Sequence, residues 1–384
     1  MKIAAVSTSI VPSTYANSIQ VMKVCHALRQ VNGEVCLWVP GEGNADWQLL
    51  AAQYGLETPF EIRWLRSQRF WRRYDFAWKA IEESLVWGAD VVYTWLLQAA
   101  VLALWRGLPV ILELHDTPGG KAGPLLLRLF ARHHGKKRLL AITNALRQKL
   151  EQRFGLHLTP DEIIIAPNGV DLERYQGLPS PQESRSQLGL PKAPTALYSG
   201  HFYRGRGMGI LFELAQRFPQ IYFVWAGGLP EDRAYWQQRL DAASIRNVAL
   251  VGFIENSRLP LYQAAADILL MPYERVIAGS SGGNSAEICS PMKMFDYMAS
   301  GRAILSSDLP VIREVLNEEN ALLCPPEQPE AWATALQRLL VDPDFRSKIG
   351  QRAQADAAKY SWRERARRAL EGFFENPSNG EEAG

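Results

Sequence analysis

Ser290-Pro-Met-Lys-Met-Phe-Asp-Tyr-Met-Ala-Ser-Gly301 reads as a loop closing into a helix, because serine suits an N-cap and proline suits a first helical turn. The residues before it, Ser280 to Cys289, are small, polar and glycine-bearing. Lys293 and Asp296 stand three apart and share one helix face near its start. A lysine at a helix N-terminus is electrostatically disfavoured unless an anion sits there. Asp296, one turn further on, suits the two hydroxyls of a ribose, as acidic residues do in other nucleotide folds. The plainer alternative is a capped helix with a surface Lys/Asp pair.

Outward from this helix the pattern repeats. Short β-branched runs alternate with longer helical stretches, which predicts βαβ units and parallel sheets. In the second half the expected strands are Thr195–Gly200, Ile221–Ala226, Val248–Gly252, Asp267–Met271 and Ala303–Ser306. In the first half they are Lys2–Ser9, Glu34–Val39, Asp90–Thr94, Pro109–Leu114, Arg138–Thr143 and Ile163–Ala166. Each half is a complete doubly wound α/β sheet, and Gly177-Leu-Pro-Ser-Pro181 is the linker. The expected division is residues 1–178 and 179–359, a helix over 360–374 returning to the first domain, and a flexible tail over 375–384. Ligands of such sheets bind at the carboxyl ends of the strands, here in a cleft between domains.

Leu197-Tyr-Ser-Gly-His-Phe-Tyr-Arg-Gly-Arg-Gly207 supports an anion site in that cleft. A strand ends at Gly200, a glycine-rich loop follows, and a helix opens near Met208, so free backbone N–H groups and the helix dipole face one spot. Arg204 and Arg206 add cations suited to phosphate. A solvated basic turn explains the same residues.

In the first half, Ile111-Leu-Glu-Leu-His-Asp116 carries a strand out onto His115 at the cleft edge, with Asp116 as a turn or cap residue. After the first strand, Ser13 to Gln20 opens a helix where Asn17 and Ser18 either donate to a ligand or serve as an ordinary N-cap. Arg63 to Lys79 mixes basic and aromatic residues, a combination suited to an anionic membrane or a lipid-linked acceptor. Within it, Trp71, Tyr74, Trp78, Ile81 and Leu85 fall at heptad-like spacing, which predicts mostly buried aromatics and a basic surface of Arg63, Arg66, Arg69, Arg72 and Arg73. Arg128, Arg132, Lys136, Lys137 and Arg138 read as a second, solvated cluster.

Composition sets the limits. The chain has 384 residues, 47% apolar and 21% charged, with net charge +2, so it is globular and lacks the basic bias of a nucleic-acid binder. Cys25, Cys36, Cys289 and Cys324 match no metal or redox spacing, which favours a reducing, cytoplasmic setting. Met1 to Ser9 reads as a strand rather than a signal peptide. The longest apolar run, Val91–Trp105, is shorter than the roughly 20 residues of a spanning helix.

Together, Ser290 to Gly301 and Asp308-Leu-Pro-Val-Ile-Arg-Glu314 resemble the donor-site signature of family 4 retaining glycosyltransferases of GT-B fold, in a Ser-Pro-x-Lys branch. The Gly200–Gly207 loop is similar to that family's phosphate loop, with Arg206 in its lysine position. Asn168-Gly-Val-Asp171, Asn320-Ala-Leu-Leu and Pro325-Pro-Glu also resemble family segments, in family order. The resemblance implies a metal-independent transferase without a cofactor, whose partner is a nucleotide-diphosphate sugar. Arg206 and Lys293 would hold the diphosphate, Asp296 the ribose, and His115 the donor sugar. Gly200, His201, Ser290, Pro291, Met292 and Asn17 would complete the donor site. The family usually has two glutamates in this region. Asp296 stands for the second, while Ile288 occupies the register of the first with Glu287 beside it, so Glu287 is the candidate there. The resemblance further implies a hexose as the group moved and an acceptor hydroxyl on a glycan, lipid or small molecule. Peripheral contact at the inner membrane face would run through residues 63–79. Rival readings are a GT-B epimerase or phosphorylase, or a non-catalytic nucleotide-sugar-binding subunit.

Overall fold

A computed structural model describes residues 1–31, 33–43, 46–68, 71, 73–277 and 284–373. The Ser280–Gly283 part of the glycine-bearing loop, Arg69, Arg72 and the expected tail lie outside the described residues. Two parallel sheets form the scaffold. The first holds β1 (Lys2–Val6), β2 (Glu34–Pro40), β3 (Glu61–Leu65), β4 (Val91–Thr94), β5 (Val110–Leu114), β6 (Lys137–Ala141) and β7 (Ile163–Ile165), in the order β3-β2-β1-β4-β5-β6-β7. The second holds β8 (Thr195–Gly200), β9 (Tyr222–Gly227), β10 (Val248–Gly252), β11 (Ile268–Met271), β12 (Ala303–Ser307) and β13 (Leu322–Cys324), in the order β10-β9-β8-β11-β12-β13.

Helices cover both faces of each sheet, so the central strands are apolar throughout rather than alternating. Every residue from Ile3 to Val6 is fully buried, as is every residue of the run Leu269 to Met271. The strand order reverses between β1 and β4 and between β8 and β11, which opens a crevice at the carboxyl ends of both sheets. The helix Trp362–Leu370 packs on Ala16–Gln30 of the first domain, with Trp362, Ala366 and Ala369 in that core. No helix among the described residues is long and apolar enough to cross a membrane.

Several expectations fail here. Strands β3 and β13 were not anticipated: β3 is an edge strand without a fully buried residue, and β13 spans only Leu322–Cys324. Because Glu61–Leu65 is extended, the following helix starts only at Tyr74. It buries Phe76, Ala77, Ala80, Ile81 and Ser84, so the heptad set is turned outward at its start. Trp71 is 59%, Tyr74 39% and Trp78 57% exposed. The second basic cluster is not uniformly solvated either. Lys137 is buried against Glu162, and Arg138 donates to the carbonyls of Arg368, Ala369 and Glu371 at the end of the last helix.

Candidate active site

The turn after β8 brings most of the second-domain candidates together. Gly200 has φ +147°, a backbone conformation that favours glycine, and a Cβ there would lie 2.5 Å from Lys293 Nζ, so the lysine tip packs against the bare strand end. Gly207, φ +69°, opens the helix Met208–Arg217, and a Cβ on it would sit 1.6 Å from the Pro272 carbonyl oxygen. Glu274 fixes the loop from below, accepting from the N–H groups of Gly205 at 3.2 Å and Gly207 at 3.3 Å.

Two cations converge on this loop. Lys293 Nζ is shielded from solvent, makes no hydrogen bond among the described residues, and lies 3.9 Å above the Tyr198 ring. Burial, with Arg206 nearby, presses its pKa well below the ordinary lysine value. The Arg206 guanidinium stacks at 4.7 Å over Tyr203 and 5.2 Å over Tyr273, with its Nε buried and unpartnered. His201 stacks on Tyr203 at 5.3 Å, and burial followed by the charges of Arg206 and Lys293 lowers its pKa. Unpaired buried donors and like charges held together are costly unless an anion completes them. A hollow of about 390 Å³ beside the loop, lined in part by Tyr203, Arg204 and Tyr235, includes neither Lys293 nor Asp296.

The helix carrying Lys293 runs from Met292 to Ala299, with Pro291 as its N-cap and no side-chain cap. Ser290 therefore does not cap it. Its hydroxyl instead accepts from the Asn168 N–H at 3.0 Å, and its carbonyl accepts from Asn168 Nδ2 at 2.6 Å, binding the helix entry to the first domain. Met292 packs against the first-domain core. Asp296 faces Tyr175, Arg174 and Lys23. Burial pushes its carboxyl up to about 6, with Arg174 and Lys23 acting against that rise.

His115 lies at the end of β5, and its Nε2 is 2.6 Å from Oε1 of the buried Glu113. Asp116 accepts from the Thr117 N–H at 2.7 Å, a turn role. Glu287 is more than half exposed and paired with Lys149 across the domains, so it is not drawn toward Arg206 or Lys293. Asn17 is exposed on the first turn of Ala16–Gln30, whose N-cap is Tyr15, and its Oδ1 accepts from the Ser18 N–H at 2.9 Å. The Ser18 hydroxyl is taken by the Ile10 carbonyl and Tyr54.

This architecture has known counterparts. A glycosyltransferase from Rickettsia africae superposes with TM-score 0.76 at 14% identity, covering 96% of this chain and 97% of that one. The HepE protein of Anabaena, solved in complex with UDP, superposes with TM-score 0.73 at 17% identity, covering 97% and 99%. Residues 18–174 match the model of Glycosyltransferase Family 4, and residues 193–342 match that of Glycosyl transferases group 1. The chain therefore joins two glycosyltransferase family domains in the GT-B fold. Among curated relatives, a D-inositol 3-phosphate glycosyltransferase of Kineococcus radiotolerans is 26% identical over 250 residues, covering 61% of this chain and 56% of the relative. A phosphatidyl-myo-inositol mannosyltransferase of Mycolicibacterium smegmatis is 26% identical over 223 residues, covering 56% and 52%. The matches thus span little more than half the length of those relatives.

Some residues of the cleft escaped the sequence reading. The tyrosines Tyr198, Tyr203 and Tyr273 pass for loop and core aromatics until the loop folds over Lys293. Glu113 did leave a signal: it is the lone charge inside the apolar strand Val110-Ile-Leu-Glu-Leu114, where an ionised side chain needs partners. Arg365 left none, because it reaches the site from the far end of the chain.

Proposed function

We propose that this glycosyltransferase moves a hexose from a nucleotide-diphosphate sugar to an acceptor hydroxyl, with retention at the anomeric carbon and without a metal. The observation that carries the reading is the shielded, unpartnered Lys293 Nζ beside Arg206, at a glycine turn feeding a helix N-terminus. That is the electrostatic environment a leaving diphosphate requires. The bond from the anomeric carbon to the phosphate oxygen breaks as the sugar gains positive charge. The acceptor oxygen bonds to the same carbon from the same face, and its proton passes to the departing phosphate. Lys293 and Arg206 meet the charge that a metal meets in other transferases, while the Gly205 and Gly207 N–H groups are held by Glu274. Asp296 receives the ribose hydroxyls, and His115 contacts the sugar from the first domain. The named relatives, which act on inositol-containing acceptors, support an acceptor of this general kind without fixing it.

A thermal-shift series with UDP-, GDP-, ADP- and dTDP-sugars in chelator tests the donor site. At 100 times the dissociation constant the cognate nucleotide adds about 2.7 kcal/mol of stability. Lys293→Ala loses that gain. No stabilisation by any of the four, or an undiminished gain in the variant, sinks the diphosphate site.

One observation favours a membrane-facing acceptor. Trp71 and Trp78 are exposed, and the helix Ala122–Arg132 aligns exposed Leu125 and Leu129 with Lys121, Arg128 and Arg132. Both helices flank Leu97–Trp105 on one face of the first sheet. Apolar tips among cations suit the interface of an anionic bilayer.

A further inference from the structure

Glu113 is buried on β5, within a network that draws on both ends of the chain. Its Oε1 accepts from Gln20 Nε2 at 2.6 Å, lies 2.6 Å from His115 Nε2 and forms an ion pair with Arg365 Nη2 at 2.7 Å, and its Oε2 accepts from the Tyr93 hydroxyl. Burial opposes the charge on this carboxylate, but Arg365 and the hydrogen bonds from His115 and Tyr93 prevail and hold it down to about 2. An ionised carboxylate only accepts hydrogen bonds, so each of its partners must donate. Amide, guanidinium and phenol do so readily. The imidazole alone has two neutral forms, and this contact admits only the one with hydrogen on Nε2.

Arg365 belongs to the last helix, Trp362–Leu370, yet it is buried in the first domain. Its Nε donates to the Pro167 carbonyl at 2.8 Å, its Nη2 to the Ala166 carbonyl at 3.1 Å, and its Nη1 to the Tyr93 hydroxyl at 3.1 Å. Without this guanidinium Glu113 would be an unpaired buried charge and would take up a proton. A protonated carboxyl can donate, and the imidazole could then accept through Nε2 and carry its hydrogen on Nδ1.

We propose that Glu113 and Arg365 are positioning residues that hold His115 with its hydrogen on Nε2, leaving Nδ1 as the acceptor for a hydroxyl of the donor sugar. The inference rests on the reading of His115 as the sugar contact. The last helix is then part of the catalytic apparatus and not only a brace on the first domain.

The test uses the full chain with ¹⁵N-labelled histidine. The wild type gives an exchange-protected His115 Nε2–H resonance, shifted downfield by its carboxylate acceptor and identified by its loss in His115→Ala. In Glu113→Gln, which keeps the shape, it moves upfield and exchanges faster. The same change occurs in Arg365→Met, and Arg365→Lys partly restores the wild-type signal. Sugar transfer in Glu113→Gln falls about tenfold or more in kcat, with donor KM changed only a few-fold. A resonance that is missing from the wild type, or unmoved in Glu113→Gln, overturns the proposal, and Glu113→Gln decides it even if Arg365→Met does not fold. Unchanged turnover in His115→Ala instead removes His115 from the transfer while leaving the network to be judged by its spectrum.

Discussion

Lys293 and Asp296 lie one turn apart on the same helix, each buried beside cations, and burial pushes each toward its neutral form. The lysine is held below its usual pKa by burial and Arg206, and the aspartate is held up at about 6 by burial. A bound diphosphate raises the lysine's pKa, so binding takes up a proton. Donor affinity therefore declines as pH rises between the free and bound values. Asp296 must be ionised to accept ribose hydroxyls, so affinity also declines as pH falls through about 6. Calorimetric titration with a nucleotide sugar across pH should give a maximum between the two limbs. Asp296→Asn should flatten the acid limb and Lys293→Met the alkaline one, each with a loss of about tenfold or more in affinity. Limbs that persist in both variants would place the titrating groups elsewhere.

At the scale of elements, the strand–loop–helix units decide what can be assembled. Gly207→Ala combines φ +69° with a contact the Pro272 carbonyl cannot yield. Strain and clash together should cost about 3 kcal/mol or more, read as a lower Tm with donor binding lost alongside it. Glu314 ties elements across the cleft. Its two oxygens accept from the N–H groups of Asn144 at 2.7 Å and Ala145 at 2.9 Å, at the N-terminus of the first-domain helix Asn144–Phe154. Glu314→Ala removes this cap, at about 1 kcal/mol, and should widen the angle between the domains as read by small-angle scattering. The contrast between these elements also explains what was legible. Central strands such as β1 and β11 announce themselves by continuous apolar runs, and the Gly200–Gly207 turn by its glycines and arginines. Edge strand β3 buries too little to leave a pattern. The helix after it was misphased because its aromatics face outward, so spacing alone marked the wrong side. Lys293 and His115 were legible because polar side chains at strand ends and helix starts ask for partners. Arg365 and Glu314 were not, because their partners are set by tertiary packing.

The whole molecule joins two half-sites through ties that cross between domains. Thr143 Oγ1 donates to the Ile288 carbonyl at 3.0 Å, Asn168 holds Ser290, and Arg174 Nη1 donates to Asn256 Oδ1 at 2.9 Å. In the proposed reaction these ties would hold the Gly200–Gly207 loop of one domain and His115 of the other at one cleft, with the acceptor entering over the first domain. That domain carries Trp71, Trp78, Leu125 and Leu129 exposed on one face among basic residues, while its core is filled from the opposite sides of the same helices. If this face meets a bilayer, a lipid-linked acceptor reaches the cleft without leaving the membrane. Co-sedimentation with vesicles separates the two contributions. Binding should need anionic lipid and weaken with salt, since exposed charges are screened within about 10 Å at 0.1 M. Arg128→Ala with Arg132→Ala should weaken it by about 2 kcal/mol, roughly 30-fold, at about 1 kcal/mol per basic residue. Trp71→Ala with Trp78→Ala should weaken binding without changing its salt dependence, because the indoles contribute burial and not charge. Equal binding to zwitterionic vesicles, or no loss in either double variant, would leave this face without a membrane role and turn the search for an acceptor toward water-soluble hydroxyls.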